Sequence, residues 1–496
     1  MMRSGPALSV LIPWFNREEI RWTLAANLPA FIQSGAEVLV INCGGDPGRL
    51  RELIRASEVR GVRQVDLAAP RFNKCATLNV GLSRAVADTV FILDADVVLL
   101  DDTLKEGQAV VQGEAFVTVE WVFETESRKH RPDLVGNVTA TLVNTATVEF
   151  AFRNGTRFSH QINRQNLFDR MRAGPGLLMA RKQDLLDIHG YNAEFHSWGW
   201  EDDDVLVRLQ YVLGRRRVQL GRALHLSHGD DGRAVAGSRT KSGQYNFVKA
   251  CRKYNQGSFL GTYQEDVETL ADRIKESIVN AVPEQPRKAI SKNPTESRPP
   301  TSFAPDHCSG AGSSPEEGAP ALAPKLGELL LEATLFKLST EATKVLYVGV
   351  RDTTRVASRV APWCGQITGV VNERVDLASA ALPETGNFST LACDAYREGF
   401  GSDLPYPRYD IIVDGKIGRY CCCQRHWVAA MENYARVLAA GGCLLTLEPG
   451  VDTSPDREHW QVGEGELGAW AEQRQWVVRK TGYGVCTLAR SVSHND

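Results

Sequence analysis

The chain has 496 residues, more than one hydrophobic core usually serves, so we expect two domains. Hydrophobic residues make up 43% and charged residues 24%, which is ordinary for a globular protein. The formal net charge of −3 argues against binding nucleic acid through bulk positive charge. No apolar run approaches the ~20 residues that span a bilayer, so no transmembrane segment is expected.

The amino-terminal segment predicts a first β-strand and not a secretion signal. The apolar stretch Ala7–Phe15 contains Pro13, and the charged residues that follow it leave no small-residue cleavage site. The eleven cysteines are an odd number without a regular framework of spacings, which favours reduced thiols. We therefore expect a cytoplasmic protein.

Strands and helices alternate over residues 1–275. The pattern predicts strands at Ser9–Pro13, Glu37–Asn42 and Thr89–Leu93, and helices at Ile20–Ser34 and Lys74–Ala87. This alternation favours a mostly parallel sheet covered by helices. Ligands gather at the carboxyl ends of such strands, which is where Asn42, Asp94 and Asp96 fall.

Two acidic clusters carry the main functional signal. The first, Asp94-Ala95-Asp96, follows an apolar strand, so its carboxylates can hold a divalent cation, which can in turn hold a diphosphate. The second runs from Trp198 to Asp204 and combines aromatic rings with carboxylates, as a sugar hydroxyl needs in order to be bound and deprotonated. Together they predict transfer of a sugar from a nucleotide-diphosphate donor.

Each acidic cluster also has a purely structural interpretation. Two aspartates at a strand end can simply begin a turn. Asp203 and Asp204 can cap a helix over Val205–Leu213, since aspartate is favoured there and complements the helix dipole. Trp200 can equally well be a packed loop residue.

The composition changes between Val282 and Lys325, where Pro, Ser, Gly, Glu and Ala dominate. Such a segment buries too little apolar surface to offset its chain entropy, so residues 276–325 are predicted to be a flexible linker. A second α/β pattern occupies residues 326–496. It predicts strands at Val345–Val350, Gln366–Val371, Ser389–Asp394, Tyr409–Asp414 and Cys443–Leu447, and one helix at Trp427–Ala439.

Residues 8 to about 250 resemble a GT-A fold glycosyltransferase of the family 2 type, and the end of that stretch resembles the galactosyltransferase carboxyl-terminal module. The resemblance is carried by five pieces in order, Ser9–Asn16, Asn73–Gly81, Leu93–Asp96, Gly174–Leu178 and Gly190–Asp204. It implies a nucleotide-sugar donor, a glycan or small-molecule acceptor, and Mn²⁺ or Mg²⁺ as the cofactor.

The resemblance also implies a metal site and a donor site. Asp96 is expected to bind the metal directly, Asp94 to contact ribose or metal, and one of His225 and His228 to complete the shell, with His225 favoured. Asn42 stands where many relatives carry Asp, and a UDP-sugar is the default donor. The donor site implied by the matching motifs comprises Pro13, Phe15, Asn16, Arg17, Asn42, Asn73, Lys74, Asn79, Asp94, Ala95, Asp96 and Gly176.

On the acceptor side, the resemblance makes Asp202 the catalytic base. Glu201 is expected to contact the acceptor sugar or to fix a loop, with Trp198, Gly199 and Trp200 completing the acceptor site. No residue stands out as a covalent nucleophile. A single displacement with one base and one metal, and therefore inversion at the anomeric carbon, fits this set.

The second domain resembles S-adenosylmethionine-dependent methyltransferases. Val345–Asp352 matches their first strand and loop, and Tyr409–Asp414 their fourth strand. The resemblance places an S-adenosylmethionine site at Gly349, Glu373 and Asp394. Because the loop has only one glycine where the family has several, a domain that has lost catalysis is as compatible with the sequence as an active one.

The predicted fold is thus α/β throughout, with a GT-A nucleotide-sugar-binding domain followed by a Rossmann-like methyltransferase-type domain. The leading functional interpretation is a metal-dependent inverting glycosyltransferase. Two alternatives stay open, a bifunctional glycosyltransferase and methyltransferase, and a non-catalytic sugar-binding scaffold.

Overall fold

The chain divides into two compact units in the computed structural model, Met1–Ala281 with Ala323–Ala333, and Val282–Leu322 with Thr334–Asp496. The structure describes residues 5–125, 142–152, 154–167, 171–195, 199–227, 239–280, 326–349, 356, 360–371, 387–392, 395, 400–402, 404–415, 424–447, 464–481 and 485–490. Most of the expected linker, residues 281–325, lies outside the described residues.

The first unit contains eleven strands and eight helices among its described residues. Its first half comprises β1 (Leu8–Trp14), α1 (Ile20–Gln33), β2 (Ala36–Cys43), α2 (Pro47–Ala56), β3 (Val62–Leu67), α3 (Lys74–Arg84), β4 (Thr89–Ile92), β5 (Val97–Leu99) and α4 (Thr103–Val111). Its second half comprises β6 (Ala115–Glu124), β7 (Val143–Ala151), β8 (Arg157–Asn166), β9 (Arg172–Arg181), α5 (Lys182–Asp187), α6 (Glu201–Tyr211), β10 (Arg216–His225), α7 (Arg239–Asn255), α8 (Tyr263–Leu270) and β11 (Ile274–Val279).

These strands form one sheet in the order β11-β3-β2-β1-β4-β9-β6-β10-β5, with the β7–β8 hairpin attached to β9. Strands β3, β2, β1 and β4 are parallel neighbours, while β9 runs antiparallel between β4 and β6. The α/β prediction is confirmed. Strand β11 crosses the expected domain boundary at residue 275 and pairs with β3 through Val279.

Strand β1 is central because helices cover both of its faces. Val10 and Ile12 pack in one hydrophobic cluster with Leu24 of α1, whereas Leu11 packs in another with Leu78 of α3. A strand buried on both faces reads as a continuous apolar run, which explains why the sequence predicted it well.

The helix after the second acidic cluster begins earlier than predicted. It was expected over Val205–Leu213, but α6 begins at Glu201. Gly199 and Trp200 have left-handed backbone angles, with φ of 98° and 69°, which turn the chain directly into the helix. The expectation that Asp203 and Asp204 cap the helix was therefore wrong, because both lie within its first turn.

Helix α9 (Leu326–Leu338) precedes a second sheet in the chain. The elements of that sheet and its helices are β12 (Lys344–Val348), β13 (Gln366–Val371), β14 (Phe388–Ala392), β15 (Tyr409–Asp414), α10 (Gln424–Val437), β16 (Leu438–Leu447), α11 (Glu464–Gln473), β17 (Trp476–Lys480) and β18 (Val485–Arg490). The strand order is β14-β13-β12-β15-β16-β18-β17.

In this second sheet the first five strands are parallel, and β18 runs antiparallel between β16 and β17. The strand that resembles the family's fourth strand, Tyr409–Asp414, is indeed the fourth of its sheet along the chain. The helix predicted over Trp427–Ala439 ends at Val437, and the following strand begins at Leu438 instead of Cys443. None of the helices in the described part of the chain is long and apolar enough to cross a membrane.

Candidate active site

The Asp94-Ala95-Asp96 segment is held in place by two buried polar side chains of α1. Thr23 Oγ1 donates to the Ala95 carbonyl at 2.9 Å. Asn27 Nδ2 donates to the Val97 carbonyl at 2.9 Å, and its Oδ1 accepts from Leu99 N at 2.8 Å. Neither side chain was predicted from the sequence. By bonding these backbone groups, the two side chains fix where the acidic segment leaves the sheet.

Lys74 brings the two acidic clusters together. It lies in the first turn of α3, and its Nζ is 3.2 Å from Asp94 Oδ1 and 3.1 Å from Asp202 Oδ1. Its side chain is only 16% exposed. Burial opposes its charge, but the carboxylates of Asp202 and Asp94 hold the pKa of Lys74 well above its usual value. The predicted donor side and the predicted catalytic base thus share one ammonium group.

Gly176 of β9 allows this close arrangement. A Cβ built on Gly176 would lie 2.4 Å from Asp202 Oδ2 and 3.1 Å from Lys74 Nζ. Any side chain there would displace the carboxylate of Asp202. The residue was predicted to belong to the donor site; the structure places it in a strand, directly against the predicted base.

Glu201 is buried beside Asp202 and is less satisfied. Its Oε2 has no hydrogen-bond partner among the described residues. Burial and the neighbouring Asp202 carboxylate raise the pKa of Glu201 to about 8. Burial also raises the pKa of Asp202, although Lys74 opposes that shift. A buried polar atom without a partner is costly unless a ligand satisfies it, so this pair can receive an acceptor hydroxyl.

His225 lies between two carboxylates at the end of β10. Its Nε2 is 3.6 Å from Asp96 Oδ2, and its Nδ1 is 2.6 Å from Glu124 Oε2. Burial opposes its charge, yet Asp96 and Glu124 together raise the pKa of His225 to about 9. Glu124 was not predicted from the sequence. His228, the other predicted candidate, lies outside the described residues.

The chemistry of this donor set fits a divalent cation such as Mn²⁺. Among the described residues no group of three or more His, Cys, Asp or Glu side chains could by itself hold a metal ion. Asp96 and His225 supply one carboxylate and one imidazole, while Asp94 is paired with Lys74. Two protein ligands suffice where substrate phosphates and water complete the coordination.

Three asparagines predicted to bind the donor are instead engaged in the fold. Asn79 is fully buried; its Oδ1 accepts from Tyr191 N at 2.8 Å, and its Nδ2 donates to the Tyr191 carbonyl and to Asp266. Because the protein supplies every hydrogen-bond partner of this buried amide, Asn79 holds the loop at Tyr191 in place. These contacts favour a structural role for Asn79, and its role in donor binding stays a prediction.

Asn42 and Asn73 are occupied in a similar way. Asn42 is buried, and its amide exchanges hydrogen bonds with the backbone of Gly45 while donating to Asp66 Oδ1 at 2.9 Å. Asn73 is the N-cap of α3: its Oδ1 accepts from Ala76 N at 3.1 Å, and its Nδ2 donates to a backbone carbonyl at 2.8 Å. Their contacts orient the loops around the site, and their role in donor binding stays a prediction.

The predicted residues Phe15, Asn16 and Arg17 follow the carboxyl end of β1. The Phe15 ring stacks on Phe72, which is 40% exposed, with centroids 5.8 Å apart. Phe72 was not predicted and adds an aromatic surface suited to a flat base. Asn16 has a left-handed backbone with φ of 49°, and its Oδ1 accepts from Asp46 N at 3.0 Å. Arg17 is half-buried, whereas Pro13 and Ala95 are buried and can contribute only through the backbone.

The predicted acceptor platform is only partly described. Trp198 lies outside the described residues. Trp200 packs edge-on against Phe247 and Phe150, with centroids 4.7 and 6.4 Å away, so packing accounts for its ring. Gly199 has φ of 98°, and its carbonyl accepts from Asn246 Nδ2 at 2.8 Å. The loop is therefore fixed by α7, an arrangement that no local sequence pattern indicated.

The remaining acidic residues of the cluster are structural. Asp203 Oδ1 is 3.0 Å from His160 Nε2. Asp204 accepts from Arg208 Nε at 2.8 Å and from the Tyr254 hydroxyl at 2.7 Å. The i,i+4 spacing of Asp204 and Arg208 on α6 was the available sequence signal for this pair. Both contacts hold the first turn of α6, and with it Asp202, in place.

In the second unit one predicted residue of the S-adenosylmethionine site is described. Gly349 follows β12 with a left-handed φ of 73°, and its N donates to the Val370 carbonyl at 2.8 Å. Glu373 and Asp394 lie outside the described residues. Asp414 pairs in register with Val348 at the end of β15 and accepts from the Tyr434 hydroxyl at 2.8 Å.

Comparison with known proteins finds one family match, within the first domain. Residues 157–229 match a family model described as the N-terminal domain of galactosyltransferase, where the sequence analysis named the carboxyl-terminal module. The matched segment includes Gly176, Asp202 and His225. No curated protein matches the sequence.

Solved structures of both kinds are similar to the chain. TarS 1–349 from S. aureus is 17% identical, covering 44% of this chain and 60% of its own, with a TM-score of 0.29. The N-methyltransferase NodS from Bradyrhizobium japonicum is 17% identical over 34% of this chain and 97% of its own, with a TM-score of 0.26. DesVI from Streptomyces venezuelae is 13% identical over 32% of this chain and 90% of its own, with a TM-score of 0.26. At TM-scores of this size the interpretation rests on the chain's own topology and residues.

The family match bears on the first domain alone. The galactosyltransferase match supports a glycosyltransferase in the first domain. The second sheet, parallel except for β17 and β18, agrees with the α/β fold expected for the second domain.

Proposed function

We propose that the first domain is a metal-dependent inverting glycosyltransferase that moves a sugar from a nucleotide-diphosphate donor, with a UDP-sugar favoured, to a hydroxyl acceptor. The observation that carries the proposal is the position of Lys74, within 3.2 Å of Asp94 and 3.1 Å of Asp202. A lysine ammonium between carboxylates from two separate motifs supports a single site for donor and acceptor.

Asp96 and His225 would hold Mn²⁺ or Mg²⁺. When bound, such an ion stabilises the negative charge that develops on the leaving diphosphate. Lys74 is placed to bind the same phosphates, since an ammonium on a flexible stem can move from a carboxylate to a phosphate oxygen. Phe15 and Phe72 offer a stacking surface for the base of the nucleotide.

Asp202 is the proposed base. Its mostly buried carboxylate has a raised pKa, which increases its strength as a proton acceptor, while Lys74 keeps it ionised. When Lys74 turns toward the diphosphate, Asp202 is released to take the proton of the acceptor hydroxyl. The oxygen then attacks the anomeric carbon from the face opposite the leaving diphosphate, which inverts its configuration.

Glu201 is proposed to bind the acceptor. With its pKa raised to about 8, it carries a proton at neutral pH and can donate a hydrogen bond from a buried position. This leaves Asp202 as the group that is ionised and ready to accept a proton.

Cytoplasmic location of the protein stays a prediction.

The test is nucleotide-diphosphate release from a panel of UDP-, GDP- and dTDP-sugars with Mn²⁺, comparing wild type with Asp96→Ala. Release that needs both Mn²⁺ and Asp96 is expected, and the active donor identifies the base. Asp101→Ala is a matched control, because Asp101 is a nearby aspartate paired with Arg222 at 2.8 Å. Equal release by the wild type and a folded Asp96→Ala variant would contradict the proposal.

For the second domain we propose S-adenosylmethionine binding at the carboxyl end of β12. The left-handed φ of 73° at Gly349 supports this, since a residue without a side chain lets backbone approach a ligand closely. Titration calorimetry of the full chain with S-adenosylmethionine tests it, with Gly349→Val as the comparison. Absence of binding would leave a domain that has lost the cofactor.

A further inference from the structure

We propose that Glu124 is a positioning residue that fixes the ring of His225 so that Nε2 is presented, beside Asp96, to a divalent cation. The inference rests on the proposed function, because it takes His225 as a metal ligand. It adds a residue from β6 that lies 101 positions before His225 and belongs to none of the sequence motifs.

The two nitrogens of His225 have different partners. Nδ1 is 2.6 Å from Glu124 Oε2, a short hydrogen bond, whereas Nε2 is 3.6 Å from Asp96 Oδ2. Because an ionised carboxylate only accepts, Nδ1 donates its proton to Glu124, and a cation that binds Nε2 takes the place of the Nε2 proton. Metal-binding histidines commonly donate their other ring N–H to a carboxylate, which fixes both tautomer and ring orientation.

Strand pairing enforces this arrangement. Strands β6 and β10 are parallel, and Glu124 is the register partner of His225. On its other side β10 is antiparallel to β5, and Leu226 N donates to the Asp96 carbonyl at 2.7 Å. Backbone hydrogen bonds therefore bring Glu124 and Asp96 to opposite sides of one imidazole.

The carboxylate of Glu124 is itself held on both oxygens. Oε1 accepts from Arg172 Nη2 at 3.2 Å, and Oε2 also accepts from Ser227 Oγ at 3.2 Å. A carboxylate tied in this way cannot rotate freely to become a ligand. The Glu124 carboxylate is therefore placed to hold the His225 ring and not to bind the cation itself.

The experiment is a Mn²⁺ titration of the full chain, with free Mn²⁺ measured by electron paramagnetic resonance. Glu124→Ala is expected to weaken Mn²⁺ binding by about 10–100-fold, the usual cost of losing such a supporting carboxylate. Glu124→Gln should lose less, because its amide oxygen can still accept from Nδ1. In a His225→Ala background Glu124→Ala should have no further effect.

Glu120→Ala is the matched control. Glu120 lies on the same strand, forms an ion pair with Arg164 at 2.6 Å, and is exposed to a similar degree, 33% against 30% for Glu124. The affinity of the Glu120→Ala variant for Mn²⁺ should equal that of the wild type. This control separates loss of any β6 carboxylate from loss of the one that contacts His225.

The outcomes separate the two proposals. Unchanged affinity in Glu124→Ala, together with lost affinity in Asp96→Ala, would overturn the role of Glu124 and leave the proposed function intact. A wild type that binds no Mn²⁺, or an Asp96→Ala variant that binds it normally, would overturn the metal site itself. If Glu124→Ala does not fold, Glu124→Leu, which keeps side-chain bulk but cannot accept from Nδ1, is measured in its place, and wild-type affinity in that variant would overturn the inference.

Discussion

Two sets of side chains predicted for the same site have different surroundings in the first domain. The aspartates face other functional groups: Asp94 and Asp202 lie against Lys74, and Asp96 faces His225. The asparagines face the fold, since Asn79 and Asn42 use their amides on loop backbone and on neighbouring aspartates. A motif match thus identifies the neighbourhood of a site, but it does not separate the ligands from the supports.

The difference follows from hydrogen-bonding capacity. An ionised carboxylate only accepts, so it requires cations or donors, and a site can offer it a metal, a lysine or a substrate hydroxyl. An asparagine both donates and accepts, so a loop can satisfy it completely with backbone groups. Each prediction below tests whether a given side chain belongs to the first set or to the second.

The largest effect is expected for Asp202→Asn. Loss of the proposed base should lower the turnover number by about 10²–10⁴-fold, with the fold unchanged, because the amide cannot accept the acceptor's proton. Steady-state transfer measurements check this once a donor is known. Asp203→Asn is the control, since Asp203 contacts His160 and not Lys74. Similar losses in both variants would contradict the assignment of Asp202.

Glu201→Gln should change the pH dependence of stability. Burial raises the pKa of Glu201 to about 8, so between pH 4.5 and 8 the folded state holds a proton that the unfolded state releases. Stability of the wild type therefore falls as pH rises through this window, by a few kcal/mol at 1.36 kcal/mol per pH unit. Glutamine carries no charge and removes this loss.

Denaturant unfolding at pH 4 and at pH 8 checks the prediction. The variant should be more stable than the wild type at pH 8 and similar to it at pH 4. Parallel pH profiles for the two proteins would show that Glu201 is not the buried, proton-holding carboxyl inferred from its position.

Gly176→Ala tests the close packing behind the base. Its Cβ would lie 2.4 Å from Asp202 Oδ2, so the carboxylate must move. A displacement of about 1 Å can cost about 10²-fold in rate, and that loss is expected in turnover. Gly113→Ala is a suitable control, because its nearest neighbour would be 3.6 Å away. Full activity in Gly176→Ala would place Asp202 elsewhere during catalysis.

Asn79→Ala is expected to reduce stability and spare the affinity for the donor. It leaves the buried backbone N–H of Tyr191 without its partner, at a cost of about 1–3 kcal/mol in the free energy of unfolding. Denaturant unfolding and the KM for the donor check both parts. A raised KM for the donor, with unchanged stability, would show that Asn79 takes part in donor binding.

The sequence predicted the elements that carry strong local patterns. Strand β1 and helix α1 were placed within one or two residues, because an apolar run and a helical spacing are local signals. Asp94 and Asp96 were likewise predicted at a strand end, where they lie. The start of α6 was missed because left-handed turns at Gly199 and Trp200 give no apolar periodicity.

The supporting residues could not be predicted in this way. Thr23 and Asn27 reach the acidic segment from α1, some 70 residues earlier in the chain. Glu124 meets His225 only because β6 and β10 are neighbours in the sheet. Contacts of this kind depend on strand order and register, and no local pattern in a single sequence records them.

The most direct test of the central claim, that the two acidic clusters form one site, is a double-mutant cycle on nucleotide-diphosphate release. The release rates of Asp96→Ala, Asp202→Asn and the double variant are compared with that of the wild type, after the rate of spontaneous donor hydrolysis is subtracted from each. Residues that act as a unit are strongly non-additive, so the double variant should lose little more than the worse single variant. Losses that multiply would show two independent sites and would contradict the account.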